Sequence, residues 1–207
     1  MSVTPQDVKK LRDETGAGMM DCKRALTEAN GDMEAAKDLL RTWGLAGVTK
    51  RAGRSASEGM IAHYVHQLDP QFPPKKAVLL ELNCETDFVA KTDEFKQLGR
   101  DIAMNVAAME PNWVSREDVP AEELERQRKI FSESDAVKGK PDNIRDKIVE
   151  GKLNAMFSDA GGVLLEQTFV IESEKGTVED LINDFAAKVK ENIVVRRFVR
   201  FTVGEDE

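Results

Sequence analysis

From its first residues the chain sets short apolar stripes against polar faces at helical spacing. Thr4 is placed to cap a helix, Pro5 to open it and Asp7 to return a hydrogen bond to the cap, while Val3 and Val8 occupy the two positions of a hydrophobic staple. This helix is short, because Thr15-Gly16-Ala17-Gly18 follows Val8 and Leu11, and a second begins near Asp21 with Cys22, Ala25, Leu26 and Ala29 on one face. Asn30-Gly31 closes it. Asp32 can cap a third helix carrying Met33, Ala36, Leu39, Leu40 and Trp43, with Gly44 in the C-terminal stop position. Residues 1–46 thus predict a three-helix module. Residues 47–57 hold Lys50, Arg51 and Arg54, no acid and mostly small side chains, and predict an exposed, flexible connector at a domain boundary.

Beyond the connector the period shortens. Met60–Leu68 is rich in branched and aromatic residues, Asp69-Pro70 and Pro73-Pro74 mark a loop, and Ala77–Cys84 resumes an apolar run, which predicts a hairpin. Thr86-Asp87-Phe88-Val89 leads into a helix whose Phe95, Leu98, Ile102, Val106 and Met109 recur at three- and four-residue steps and which stops before Pro111. Residues 115–140 are charged and weakly periodic, with a helix start at Pro120-Ala121-Glu122-Glu123-Leu124. A further helix over 141–157 presents Ile144, Ile148, Val149, Met156 and Phe157 as apolar contacts, weakened by Gly151. Val163–Ile171 reads as extended, Thr177 as the cap of a helix with Leu181, Ile182, Phe185 and Val189, and Ile193–Val203 as the strongest strand. On that strand Ile193, Val195, Val199, Phe201 and Val203 share one face with Arg197, and Val194, Arg196, Phe198, Arg200 and Thr202 the other. Residues 58–207 therefore predict an α+β domain, an antiparallel sheet packed by helices.

Charge and cysteine content narrow the function classes. The 207 residues carry 30 Lys plus Arg against 38 Asp plus Glu, a net charge of -8, the opposite of what a protein built to coat phosphates carries. Cys22 and Cys84 form no CxxC pair and no disulfide framework, which fits a reducing compartment. No run of 18 apolar residues is present, and the first residues have neither a secretion signal's apolar core nor a transit peptide's acid-free character. A soluble cytoplasmic protein is expected, although an organellar chain already trimmed of its transit peptide fits as well.

The usual catalytic sites are missing from the sequence. There is no GxxxxGK[ST] and no GxGxxG; Gly16-Ala17-Gly18 follows a helix rather than a strand and reads as an inter-helix turn. His63 and His66, the only histidines, stand three apart on a strand and so face opposite sides, a poor metal pair. Cys84 alternates with Val78, Leu80 and Leu82 as a buried small hydrophobe would. Neither a metal, a cofactor nor a catalytic residue is expected.

Two places resist a purely structural reading. At Met19-Met20 a glycine turn delivers adjacent methionines that cannot both face one small core; either one is exposed to a partner or both fold under the bundle. At Asp87-Phe88, Phe88 either opens the stripe that continues at Phe95 or projects from the strand-to-helix corner as an aromatic anchor beside a carboxylate.

The run Val8-Lys9-Lys10-Leu11-Arg12-Asp13-Glu14-Thr15-Gly16-Ala17-Gly18-Met19-Met20-Asp21-Cys22-Lys23-Arg24-Ala25-Leu26, the segment Asn83-Cys84-Glu85-Thr86-Asp87-Phe88-Val89-Ala90 and the closing Val195-Arg196-Arg197-Phe198-Val199-Arg200-Phe201 closely resemble the elongation factor Ts family. The resemblance spans nearly the whole chain. It implies a ubiquitin-associated-like helical module before the α+β core. It also implies guanine nucleotide exchange on elongation factor Tu, the GTPase that delivers aminoacyl-tRNA to the ribosome. By the same resemblance the corner Thr86, Asp87, Phe88 and Val89 enters the GTPase, Phe88 as a wedge near the magnesium and phosphate sites, with Asp87 reordering neighbouring groups. Lys9, Arg12, Met19 and Met20 would hold the same GTPase domain, and the α+β core another. Longer members carry a second core half and a helical hairpin; this chain holds one core unit, so a homodimer with two bound GTPases is implied. The 193–203 strand could join that dimer surface, or be a central strand covered on both faces. Two rival readings are an adaptor that binds without changing nucleotide release, and an RNA binder resting on Lys50, Arg51, Arg54 and the last strand's arginines.

Overall fold

The computed structural model describes residues 3–67 and 69–205; Leu68, which closes the first expected strand, lies outside the described residues. The chain has three N-terminal helices, a three-stranded antiparallel sheet and further helices, so the α+β expectation holds. It divides into two compact units: one comprises the residues up to Gly59 with Asn83–Ala90 and Ile182–Val194, the other Met60–Leu82, Lys91–Leu181 and the residues from Val195.

In the first unit α1 (Pro5–Thr15), α2 (Met19–Glu28) and α3 (Met33–Arg51) enclose Val8, Leu11, Cys22, Ala25, Leu26 and Ala36. The expected cap is present: Asp7 N–H donates to Thr4 Oγ1 at 3.2 Å, and Thr4 N–H to the Asp7 carboxylate at 3.0 Å. The Thr4 hydroxyl, donating to the same carboxylate at 2.7 Å, and then the Thr4 N–H hold the Asp7 carboxyl below its ordinary value. Gly16 ends α1 in the left-handed region, φ 67°, which lets its N–H reach Arg12 O at 2.8 Å. Asp32 caps α3 through Ala35 N–H at 3.0 Å.

Two helix limits differ from the sequence reading. Helix α2 starts at Met19, before Asp21, and α3 runs through Gly44 to Arg51, so residues 47–51 of the expected connector are helical. Gly44 is there for space rather than for a stop, since a Cβ on it would lie 3.1 Å from that of Ala187. The cationic last turn of α3 suits the helix dipole, and Arg51 also donates to Ala186 O at 3.3 Å.

The second unit carries most of the sheet, in the order β1 (Glu58–His66), β2 (Lys76–Cys84), β3 (Val194–Thr202). Ala62, Val78, Leu80 and Leu82 are buried on one face. Helix α5 (Asp93–Met109) buries Phe95, Leu98, Ile102 and Val106, and approaches β1 so closely at Gly99 that a Cβ there would fall 2.9 Å from that of Ala62. The opposite face is left open, with Ile61, Val65, Leu79, Val199, Phe201 and Val203 exposed around an Arg197–Glu81 pair at 2.7 Å. Because β3 lies at the edge and Val195 is its single buried residue, beside the buried Ile193 just before it, the reading of a doubly covered central strand fails.

Helices α6 (Ala121–Glu133) and α7 (Asp142–Ser158) close a smaller core around Val119, Leu153, Phe157 and Val163. Gly151 leaves α7 unbroken, whereas Ile144, expected as an apolar contact, is exposed. The expected extended run 163–171 forms only single bridges, Val163 to Trp113 and Thr168 to Thr177, around a 3-10 turn at Leu164–Glu166. Side chains serve the backbone there in place of a ladder: Asn105 Oδ1 accepts Val170 N–H at 2.9 Å, and Gln167 donates to Asp159 O at 3.0 Å. Thr177 caps α8 (Val178–Val189) as expected, its Oγ1 accepting Asp180 N–H at 3.1 Å.

Candidate partner-binding site

The corner after β2 is built from two successive caps. Thr86 O accepts Ala90 N–H at 3.3 Å and Thr86 Oγ1 accepts Val89 N–H at 3.4 Å, closing the four-residue helix α4 (Asp87–Ala90). Thr92 then caps α5 through Phe95 N–H at 3.2 Å. This second cap breaks the helix that the apolar spacing runs through. Phe88 consequently leaves the stripe: it is 79 % exposed, while Phe95 is 0 % exposed, which rules against the reading of Phe88 as the first core contact. Cys84, buried at the end of β2, donates its thiol to Thr86 O at 3.1 Å, and burial pushes that thiol up to about 11.

Of the three residues that follow α8, Lys190, Glu191 and Asn192, to which the sequence pattern assigns no role, the last two hold the corner. Glu191 Oε2 accepts the N–H groups of Glu85 at 3.0 Å and Thr86 at 3.1 Å, and Oε1 accepts the Thr86 hydroxyl at 2.6 Å. In return, Glu85 Oε1 accepts Asn192 N–H at 2.7 Å. The Asn192 side chain, 8 % exposed, donates to Ala52 O at 3.3 Å and Arg54 O at 2.8 Å just beyond α3. Lys190, in the left-handed region at φ 61°, turns the chain and reaches Asp21 of α2 at 3.0 Å. Consecutive residues thus grip the corner, the end of α3 and the start of α2. The signal available in the sequence was a polar triplet between an amphipathic helix and an apolar strand, which shows a turn but not what it touches.

On the helical module Lys9 and Arg12 are exposed on α1, away from the buried Val8 and Leu11. Met19 and Met20, whose burial the sequence left open, are 50 % and 73 % exposed. Met20 borders a shallow depression with Lys23, Arg24, Thr27 and Glu28, and the Arg24 guanidinium sits 3.9 Å over the Trp43 ring. All eight expected contact residues lie in the first unit: Lys9, Arg12, Met19 and Met20 on the module, Thr86 to Val89 on the corner. Asp21 joins the two groups through Lys190.

His63 is exposed, whereas His66 accepts or donates a 3.0 Å bond with the Tyr64 hydroxyl. Among the described residues no group of three or more His, Cys, Asp or Glu side chains is arranged to hold a metal ion, and no helix is long and apolar enough to cross a membrane.

A sequence model of the family described as "Elongation factor TS" matches residues 33–205. The elongation factor Ts of Thermosipho melanesiensis is 55 % identical over 198 residues, covering 96 % of this chain and 97 % of that protein. Those of Fervidobacterium nodosum and Thermotoga maritima are each 52 % identical over 205 residues, covering 99 % of this chain and 100 % and 98 % of theirs. With nearly full-length identity above half and a family match across both units, the chain belongs to the elongation factor Ts family.

Proposed function

We propose that this chain is the guanine nucleotide exchange factor for elongation factor Tu in translation elongation, with Thr86, Asp87, Phe88 and Val89 entering the GTPase and Lys9, Arg12, Met19 and Met20 gripping it. The observation that carries this reading is Phe88, a 79 % exposed aromatic side chain on a corner fixed by hydrogen bonds that Thr86 donates to the Glu191 carboxylate. A large apolar side chain presented in this way gains about 1.5–3 kcal/mol when a partner buries it. Phe88 wedges near the magnesium and phosphate sites, and Asp87 reorders the groups beside it.

Exchange then needs no covalent chemistry and no cofactor. A factor that binds the empty GTPase more tightly than the nucleotide-bound form weakens nucleotide binding by the same ratio, and incoming GTP expels the factor. One to two decades follow from burying a single Phe, at 1.4 kcal/mol per decade. The helical module must therefore contribute.

In this reading residues 1–46 form the ubiquitin-associated-like GTPase-holding module, and 58–207 the core that touches a second GTPase domain and dimerises. Residues 47–57 join them, the first five as the end of α3. The relatives match this chain across their own length, which suits the single-core type acting as a homodimer. The open sheet face of Ile61, Val65, Leu79, Val199, Phe201 and Val203 supports a self-association surface, since an exposed apolar patch of this kind favours a partner over water.

The test is linkage itself. The affinity of the factor for empty elongation factor Tu should exceed that for the GDP-bound form by the same ratio by which the factor weakens GDP binding. Equal affinities for the two forms, with no change in GDP release, would establish an adaptor instead.

A further inference from the structure

We infer that Glu191 is a positioning residue for exchange: its carboxylate preorganises the Thr86–Phe88 corner and acts on the GTPase only through it. The inference rests on the reading of Phe88 as the wedge.

A four-residue helix cannot sustain itself, since nucleation fixes several dihedrals for one hydrogen bond. Its N-terminal side must be held from outside. Glu191 does so with both oxygens, taking two backbone N–H groups and the Thr86 hydroxyl, and that hydroxyl in turn accepts Val89 N–H. One carboxylate therefore sets both the backbone entering α4 and the rotamer of its capping side chain. Hydrogen bonds to an ionised acceptor are about twice as strong as neutral ones.

The clamp is itself held. Glu85 accepts a bond from Asn192 N–H and lies 3.5 Å from Arg54, Asn192 donates to the two carbonyls beyond α3, and Lys190 is tied to Asp21. Glu191 is thus fixed on both sides, and the corner is fixed to it. Without the carboxylate the corner visits other conformations, and apparent affinity for the GTPase falls with the fraction that stays competent. The conformation reached in the complex is unchanged, so the maximal rate is kept.

The experiment measures release of a fluorescent GDP analogue from elongation factor Tu against concentration of the full-length factor, for wild type, Glu191→Ala, Glu191→Gln, Phe88→Ala and the Phe88→Ala/Glu191→Ala pair. Amide hydrogen exchange at Glu85 and Thr86 is followed in the free proteins. Glu191→Ala should raise the half-saturating concentration about tenfold, with a plateau within about twofold of wild type. It should also speed amide exchange at both positions. Glu191→Gln, which keeps one oxygen for the two N–H groups and stays folded on volume grounds, should fall between. Adding Glu191→Ala to Phe88→Ala should cost clearly less than it costs the wild type, because much of its effect runs through the Phe88 side chain.

Unchanged amide protection or wild-type half-saturation in Glu191→Ala overturns the inference, as does an effect that adds in full to that of Phe88→Ala. Wild-type release by Phe88→Ala refutes the wedge instead, a failure visible without any Glu191 variant.

Discussion

Phe88 and Phe95 stand seven residues apart, at a spacing that would place both on one helical stripe, yet their surroundings differ completely. Phe95 N–H is bonded to the Thr92 cap at 3.2 Å and its side chain is fully buried, whereas Phe88 keeps 79 % of its surface in water. Replacing Phe95 with Ala leaves the cap bond in place and removes a buried ring, so the expected loss is about 3–5 kcal/mol, transfer and cavity together. Replacing Phe88 removes only the fifth of its surface that folding covers, and the expected loss is below about 0.5 kcal/mol. For a chain of this length the two differ by roughly 5–20 °C in Tm at about 2–4 °C per kcal/mol. Urea titrations followed by far-ultraviolet circular dichroism read the two midpoints directly, and equal slopes show that the unfolded reference is unchanged. If Phe88→Ala loses more than about 2 kcal/mol, or Phe95→Ala less than about 1 kcal/mol, the two-cap account of the corner is wrong.

Two glycines inside helices should respond oppositely to alanine. Gly99→Ala, whose Cβ would come within 2.9 Å of another Cβ, should lose about 1–3 kcal/mol, whereas Gly151→Ala, with nothing within 4 Å, should gain about 0.5–1 kcal/mol by urea denaturation. The Cys84 thiol is raised from 9.0 to about 11, so burial of the neutral form stabilises fully below pH 9 and is lost as pH rises through 11. The stability of wild type relative to Cys84→Ala should therefore shrink across that window, and at pH 8 the native thiols should resist a disulfide reagent that labels them in urea. Phe201→Glu, at a 64 % exposed position on the open sheet face, should leave circular dichroism unchanged and shift the sedimentation coefficient from dimer to monomer. A monomeric wild type would remove that face from the account.

Local chemistry made most elements legible. Thr4 with Asp7, Asp32, and Thr177 with Asp180 cap helices where the sequence places them, because a cap is a contact over three residues. Gly44 misled because a helical glycine looks the same in sequence whether it stops a helix or admits a neighbour such as Ala187. Val163–Ile171 misled because an apolar run shows burial without showing whether a ladder or side chains such as Asn105 will satisfy its backbone. At the corner, apolar spacing alone left Phe88 open between core and surface; the second cap at Thr92 decided it, a polar signal that the stripe concealed. Glu191 lies more than a hundred residues from Thr86 in sequence, so its role depends on tertiary contact alone.

The most direct measurement is the rate of fluorescent GDP release from elongation factor Tu with wild-type factor and with Phe88→Ala, over a concentration range that reaches saturation. A strong acceleration by wild type, cut by about one to two decades in Phe88→Ala while circular dichroism stays native, is the expected result. Full acceleration by Phe88→Ala would contradict the account, because the exposed ring would then play no part in opening the nucleotide site.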